Sequence, residues 1–327
     1  MPSRYEMFDT SRVLVRPLGE RENLVTLADV LAVGEAPEAF DHPALAVLAE
    51  RVAAARLSGA AVVLMLGAHV IKSGLSRYVC DLIRRKLVDV VALNGAGVIH
   101  DFELARIGAT SEDVARYIKD GRFGLWAETG EINDILAASA AERLGLGEAV
   151  GRAIVRRAFP HRDVSILATG FECGVPVTVH VGIGYDIIHA HPNFDAGVLG
   201  AASGRDFLIY ARVIERLEGG AMLCFGSAVM GPEVYLKALS MARNVATQEG
   251  REIRRFATAV FDLAALPADV SRTPLKTDPA YYYRPLKTVL VRTVADGGES
   301  FYVRGDHRAT LPALHKAIVE RIGQKRQ

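Results

Sequence analysis

The stretch VDVVALNGAGVIHD, from Val88 to Asp101, joins an apolar run rich in β-branched residues to Asn94-Gly95-Ala96-Gly97, with His100 and Asp101 just beyond. A strand read from the run, followed by small residues and then helical spacing, is the join between a strand and a helix in a parallel sheet. Small residues at such a join let backbone N–H groups approach a phosphate, and the helix N-terminus adds positive potential. They also suit an ordinary sharp corner. The dinucleotide fingerprint is incomplete, because its third glycine would fall at His100. By motif rules alone the corner and the phosphate turn are evenly matched.

Working outward, the same alternation recurs. AVVLML (61–66), VPVTVHVGIG (175–184), GAMLCFGSA (220–228) and FATAVFDL (256–263) read as strands. Helical spacing is carried by HPALAVLAERVAAARL, GLSRYVCDLIRRKL, RDFLIYARVIERLEG and PEVYLKALSMARNVATQ. ATGFECG reads as a short helix and RVLVRPL, near the start, as a short strand. KTVLVRTVADGGESFYVRGD reads as two strands around an Asp-Gly-Gly turn. Near-continuous apolar strands separated by helices predict an α/β, Rossmann-like, mostly parallel sheet with helices on both faces. No linker splits the chain, so residues 1–327 read as a single domain with 1–57 as a strand-plus-helix lead-in.

Half of the 327 residues are hydrophobic, enough for a large core, and the formal charge of +1 argues against a phosphate-dominated nucleic-acid surface. The apolar runs are too short for a membrane span, and the first residues lack a secretory pattern. Cys80, Cys173 and Cys224 have no paired spacing and fit reduced thiols. These readings point to a cytoplasmic protein acting on a small molecule.

HVGIGYDIIHAHP gathers His180, His189 and His191 around Asp186. His-x-His on an extended segment suits metal ligation, with His180, Asp186 or Asp195 as a third ligand. Hydrogen-bonded pocket histidines without metal are the favoured reading, and the same rings suit acid–base work near neutral pH. Lys287, after three tyrosines, sits in apolar surroundings where a lysine can form an imine with a carbonyl, although an ordinary strand-edge lysine is the favoured reading. No Walker-A or Gly-x-Ser-x-Gly sequence occurs.

HVIKSGLSRYVCDLIRRKLVDVVALNGAGVIHD (69–101) resembles the deoxyhypusine synthase family, and so do CGVPVTVHVGIG, GGAMLCFGSAVMGPEVYLKALSMARN, FATAVFD and FYVRGDHRATLP. The resemblance implies one large Rossmann-like domain, a homotetramer, and NAD bound at subunit interfaces. It implies oxidation of spermidine with NAD and transfer of the aminobutyl group through an enzyme lysine to a translation-factor lysine. Carried over by position, NAD contacts fall on Ser73, Asn94, Gly95, Ala96, Gly97, Gly226, Ser227, Thr258, Ala259 and Asp306. The sequence departs from the family at Ile99 and His100, which replace acids, at Gly184–His189, which replaces a carboxylate-rich segment, and in lacking Trp-Gly-Lys. The combined expectation is an NAD-dependent enzyme that oxidises an amine or alcohol, with Lys287, His189, His191 and Asp186 as catalytic candidates and alkyl transfer through an imine as an option. A metal-dependent hydrolase or lyase built on the three histidines, and a non-catalytic ligand-binding homologue, are the alternatives.

Overall fold

The computed structural model describes residues 3–267 and 269–326. Its centre is a six-stranded sheet of β1 (Val62–Leu66), β2 (Val90–Asn94), β3 (Val177–His180), β4 (Ala221–Phe225), β5 (Ala257–Asp262) and β6 (Glu299–Arg304). The strands lie in the order β3-β2-β1-β4-β5-β6, every neighbouring pair parallel. This is the doubly wound, Rossmann-like α/β arrangement.

Every residue of β1 and β4 is buried, because both sheet faces are covered. Val62, Leu64 and Leu66 enter one hydrophobic cluster; Val63 and Met65 enter the other. The first cluster holds α1 (Pro43–Ser58), α2 (Ser76–Arg84), α3 (Gly95–Ile107), α4 (Ala127–Ser139), α5 (Leu146–Arg156), α6 (Ile166–Cys173) and α9 (His307–Arg326). The second receives the C-terminal half of α7 (Ala196–Ile214), α8 (Met230–Gln248) and the helical stretch Leu286–Arg292.

Two expectations need correction. RVLVRPL forms no strand; Arg16 makes a single bridge to Trp126, and Leu18 packs with Tyr117 and Trp126. KTVLVRTVADGGESFYVRGD is not a hairpin, since Leu286–Arg292 is a π-helix and only Glu299–Arg304 is a strand. The cause is topological: β6 pairs parallel to β5, so the chain between them must cross back over the sheet. The crossover is anchored by the Thr258 hydroxyl, which donates to the Val289 carbonyl at 2.9 Å, and by Ser300, which donates to Leu290 at 2.7 Å. ATGFECG is helical, within α6.

Candidate active site at the strand ends

In a doubly wound sheet the chain order reverses between β1 and β4, and ligands lie outside the carboxyl ends of the strands there. Both turns at this reversal open with a glycine. A Cβ on Gly67 would overlap the Gly226 carbonyl oxygen, so the two turns touch through backbone. Gly226 has φ of 60°, and a Cβ there would lie 2.6 Å from His307 Nε2. Ser227 is buried, and its hydroxyl accepts from the Gly231 amide at 2.9 Å, tying the turn to α8. Asp306 is exposed before α9, its carboxylate accepting from the Arg308 amide at 2.7 Å. Arg308 in turn donates to the Ser73 carbonyl at 3.0 Å. His307 is buried beside the reversal, with Nδ1 lacking any partner among the described residues. Burial lowers its pKa.

The turn after β2 is built differently. Asn94 caps α3, its side chain accepting from the Gly97 amide at 3.0 Å. The Asp186 carboxylate fills the space that a Gly95 side chain would need, and accepts from the Ala96 amide. A carboxylate of the chain itself therefore sits where the helix N-terminus favours an anion. Burial pushes the Asp186 carboxyl up to about 6. His189 Nδ1 accepts from the amides of Gly184 (3.0 Å) and Asp186 (3.2 Å), which leaves the ring proton on Nε2. That Nε2 has no hydrogen-bond partner and faces Asp186 Oδ2 at 3.9 Å.

The three histidines do not converge. His191 hydrogen-bonds the Gly124 carbonyl through Nε2 at 2.8 Å and packs on Gly130. His180 meets the Thr178 hydroxyl at 3.0 Å and the edge of Tyr210, and burial pushes its pKa down to about 4. Among the described residues no group of three His, Cys, Asp or Glu side chains is arranged to hold a metal ion. The extended geometry assumed for His-x-His is replaced by a 3-10 turn, Ile187–Ala190, which sends the two rings apart.

Other candidates also lie apart. Thr258 and Ala259 are fully buried within β5, so neither presents surface to the crevice. Lys287 is buried in the π-helix, its ammonium 3.6 Å from the Tyr281 ring centroid. That element packs on the sheet face opposite α3. Asp101 caps α6, accepting from Ser165 Oγ (2.5 Å) and from the amides of Ile166 (2.7 Å) and Leu167 (3.2 Å).

Beside the β2 turn lies a cavity of about 240 Å³, lined by Ala96 and Asp186 together with Arg21, Lys72, His100, Glu103 and Glu112. Arg21 and Glu103 form a buried bidentate pair, at 2.9 and 2.8 Å. Glu103 also accepts from Thr110 and Thr129, both at 2.6 Å, and Thr110 Oγ1 meets His100 Nδ1 at 2.8 Å. Burial, with Lys72 and Arg21 nearby, pushes His100 down to about 4, although Glu103 opposes this. Glu112 accepts from Trp126 Nε1 (2.9 Å) and the Gly124 amide (3.1 Å), and burial raises its pKa. Of these side chains only His100 stands out in the sequence; Arg21, Lys72, Glu103 and Glu112 belong to no motif. The available signal was helical: Glu103 lies three residues after His100, hence on the same face of α3.

No family model and no curated protein matches this chain. Several solved structures resemble it at low identity. ArgZ, an arginine dihydrolase from the ornithine–ammonia cycle in cyanobacteria, is 16% identical with a TM-score of 0.47, covering 85% of this chain and 32% of its own. A conserved protein assigned provisionally as LOR/SDH, from Methanococcus maripaludis S2, is 12% identical with a TM-score of 0.49, covering 88% and 74%. A provisional deoxyhypusine synthase from Entamoeba histolytica is 9% identical with a TM-score of 0.38, covering 80% and 75%. This chain spans about a third of the length of the arginine dihydrolase it matches. No residue role transfers at these identities.

Proposed function

We propose that this chain is an NAD-dependent, deoxyhypusine synthase-like enzyme that oxidises an amine or alcohol group of a small molecule. The observation carrying this reading is the paired glycine turn, Gly67 against Gly226, at the reversal of a doubly wound sheet, with a cavity holding charged side chains beside the neighbouring β2 turn. The residues at the reversal fit a dinucleotide: Gly67 and Gly226 place no side chain there, and the buried His307 nitrogen has hydrogen-bonding capacity to spare. The β2 turn fits less well as a phosphate cradle, because Asn94 and Asp186 already take the Gly97 and Ala96 amides. In this reading Gly226, Ser227, Asp306 and Ser73 hold the cofactor, and Asn94–Gly97 forms the wall between it and the substrate.

Bound NAD would supply the hydride acceptor. The chain's own residues hold the substrate and handle its proton. Asp186 Oδ2 borders the cavity with a pKa of about 6, suited to accepting a proton near neutrality. The His189 Nε2 proton, 3.9 Å from that oxygen, favours its ionised form. His191 holds the Gly124 turn that also donates to Glu112, which makes it a positioning residue. Tetrameric assembly belongs to the same proposal.

The test is thermal unfolding of the purified protein over a range of NAD concentrations. A saturable rise in midpoint by millimolar NAD is the expected result. A flat response would remove the cofactor from the reading.

A further inference from the structure

The charges around the cavity do not balance. Arg21 is spent on Glu103, to which both of its terminal nitrogens donate. Glu112 is left with neutral donors only, from the Trp126 ring and the Gly124 amide. Asp186 likewise has neutral donors only, the Ala96 amide and the His189 amide of its own capping box, with the His189 ring 3.9 Å away. Lys72 lines the same space and, among the described residues, has no carboxylate within ion-pair distance. Thus two buried carboxylates and one ammonium face a common volume without charged partners.

Buried charges without counter-charges are costly, and a ligand supplying those counter-charges recovers that cost on binding. The complement of this lining is one molecule with two ammonium groups and one carboxylate. The volume, about 240 Å³, lies below the roughly 300–1,000 Å³ typical of drug-sized ligand sites and admits only a small molecule. We propose that the cavity binds a basic amino acid, with Glu112 and Asp186 holding its two ammonium groups and Lys72 its carboxylate. This inference rests on the enzyme reading above, since it names that enzyme's substrate class. It differs from a polyamine site at one residue: Lys72 gives the pocket a reason to prefer a carboxylate that a polyamine lacks.

The deciding experiment is calorimetric titration of the full chain with L-ornithine and with 1,4-diaminobutane, the same skeleton without the carboxylate, each with and without NAD. L-Ornithine should bind saturably and the diamine about tenfold more weakly or worse. Lys72→Met should weaken L-ornithine about tenfold and leave the diamine unchanged or tighter, collapsing the ratio. Glu112→Gln should weaken both ligands. Lys72 is only half-buried, so its variant tests the claim even if Glu112→Gln unfolds. Equal or tighter binding of the diamine to the wild type would overturn the proposal. So would an unchanged ratio in Lys72→Met, or no heat from L-ornithine in either condition. NAD binding without L-ornithine binding overturns this inference alone; L-ornithine binding without NAD binding supports it and sinks the cofactor reading.

Discussion

Asp101 and Asp186 are both buried carboxylates at helix N-termini, and burial pushes each up to about 6. They differ in what meets them. Asp101 is wholly enclosed and accepts three hydrogen bonds at the start of α6. Asp186 accepts from the Ala96 amide at the start of α3 and from the His189 amide of its own turn, and it also borders a cavity and an unpartnered histidine nitrogen. A carboxylate whose lone pairs are filled by its own chain is a cap. One that borders a cavity with acceptor capacity left over is available to a ligand.

The largest expected effect lies on the filled side of this comparison. Asp101→Ala strands three donors and should cost about 4 kcal/mol of unfolding free energy, measured by urea denaturation. A loss below about 1 kcal/mol would mean that Asp101 is no more structural than Asp186. Next is Gly95→Ala, whose new methyl group needs the space of the Asp186 carboxylate. Because that carboxylate ends a movable side chain, the expected cost is about 1–2 kcal/mol, with ligand binding in the cavity lost. Intact binding would show that Asp186 acts elsewhere.

Smaller still is the stability change of Asp186→Asn, expected within about 1 kcal/mol of wild type at pH 5. Its pH dependence sharpens the comparison. A folded pKa near 6, above the ordinary aspartate value, means that the folded chain holds a proton which the unfolded chain releases. That contribution is complete below about pH 4 and is lost as pH rises through 6. The variant should therefore gain on the wild type between pH 4 and 7 by on the order of 1–2 kcal/mol. Parallel stability curves would contradict the buried, ionisable state of Asp186. His100 and His180 run the other way, both pushed down to about 4, so their contribution is lost as pH falls through that value in both proteins.

The sheet was legible in the sequence because both faces of its strands are covered, which writes burial as unbroken apolar runs. The run KTVLV misled for the same reason. A π-helix buried against the sheet is as apolar as a buried strand, and only the parallel pairing of β5 with β6 separates the two. At the site, Asp186 and the Asn94–Gly97 turn were legible as neighbours of glycine-rich strand ends. That they touch each other was not, because the contact joins β2 to a loop some ninety residues later. Arg21, Lys72, Glu103 and Glu112 come from four segments with no motif in common, and meet only in the folded chain. His189 and His191 share a spacing that suits a metal on a strand and fails on a turn.

The proposed dinucleotide site is the reversal between β1 and β4. Calorimetric titration with NAD tests it on the wild type and on Gly226→Val, where the branched side chain would meet His307 and close the turn. Saturable heat from the wild type by millimolar NAD, and none from a folded Gly226→Val, is the predicted pair. Flat heat from the wild type, or undiminished binding by the variant, would contradict the account.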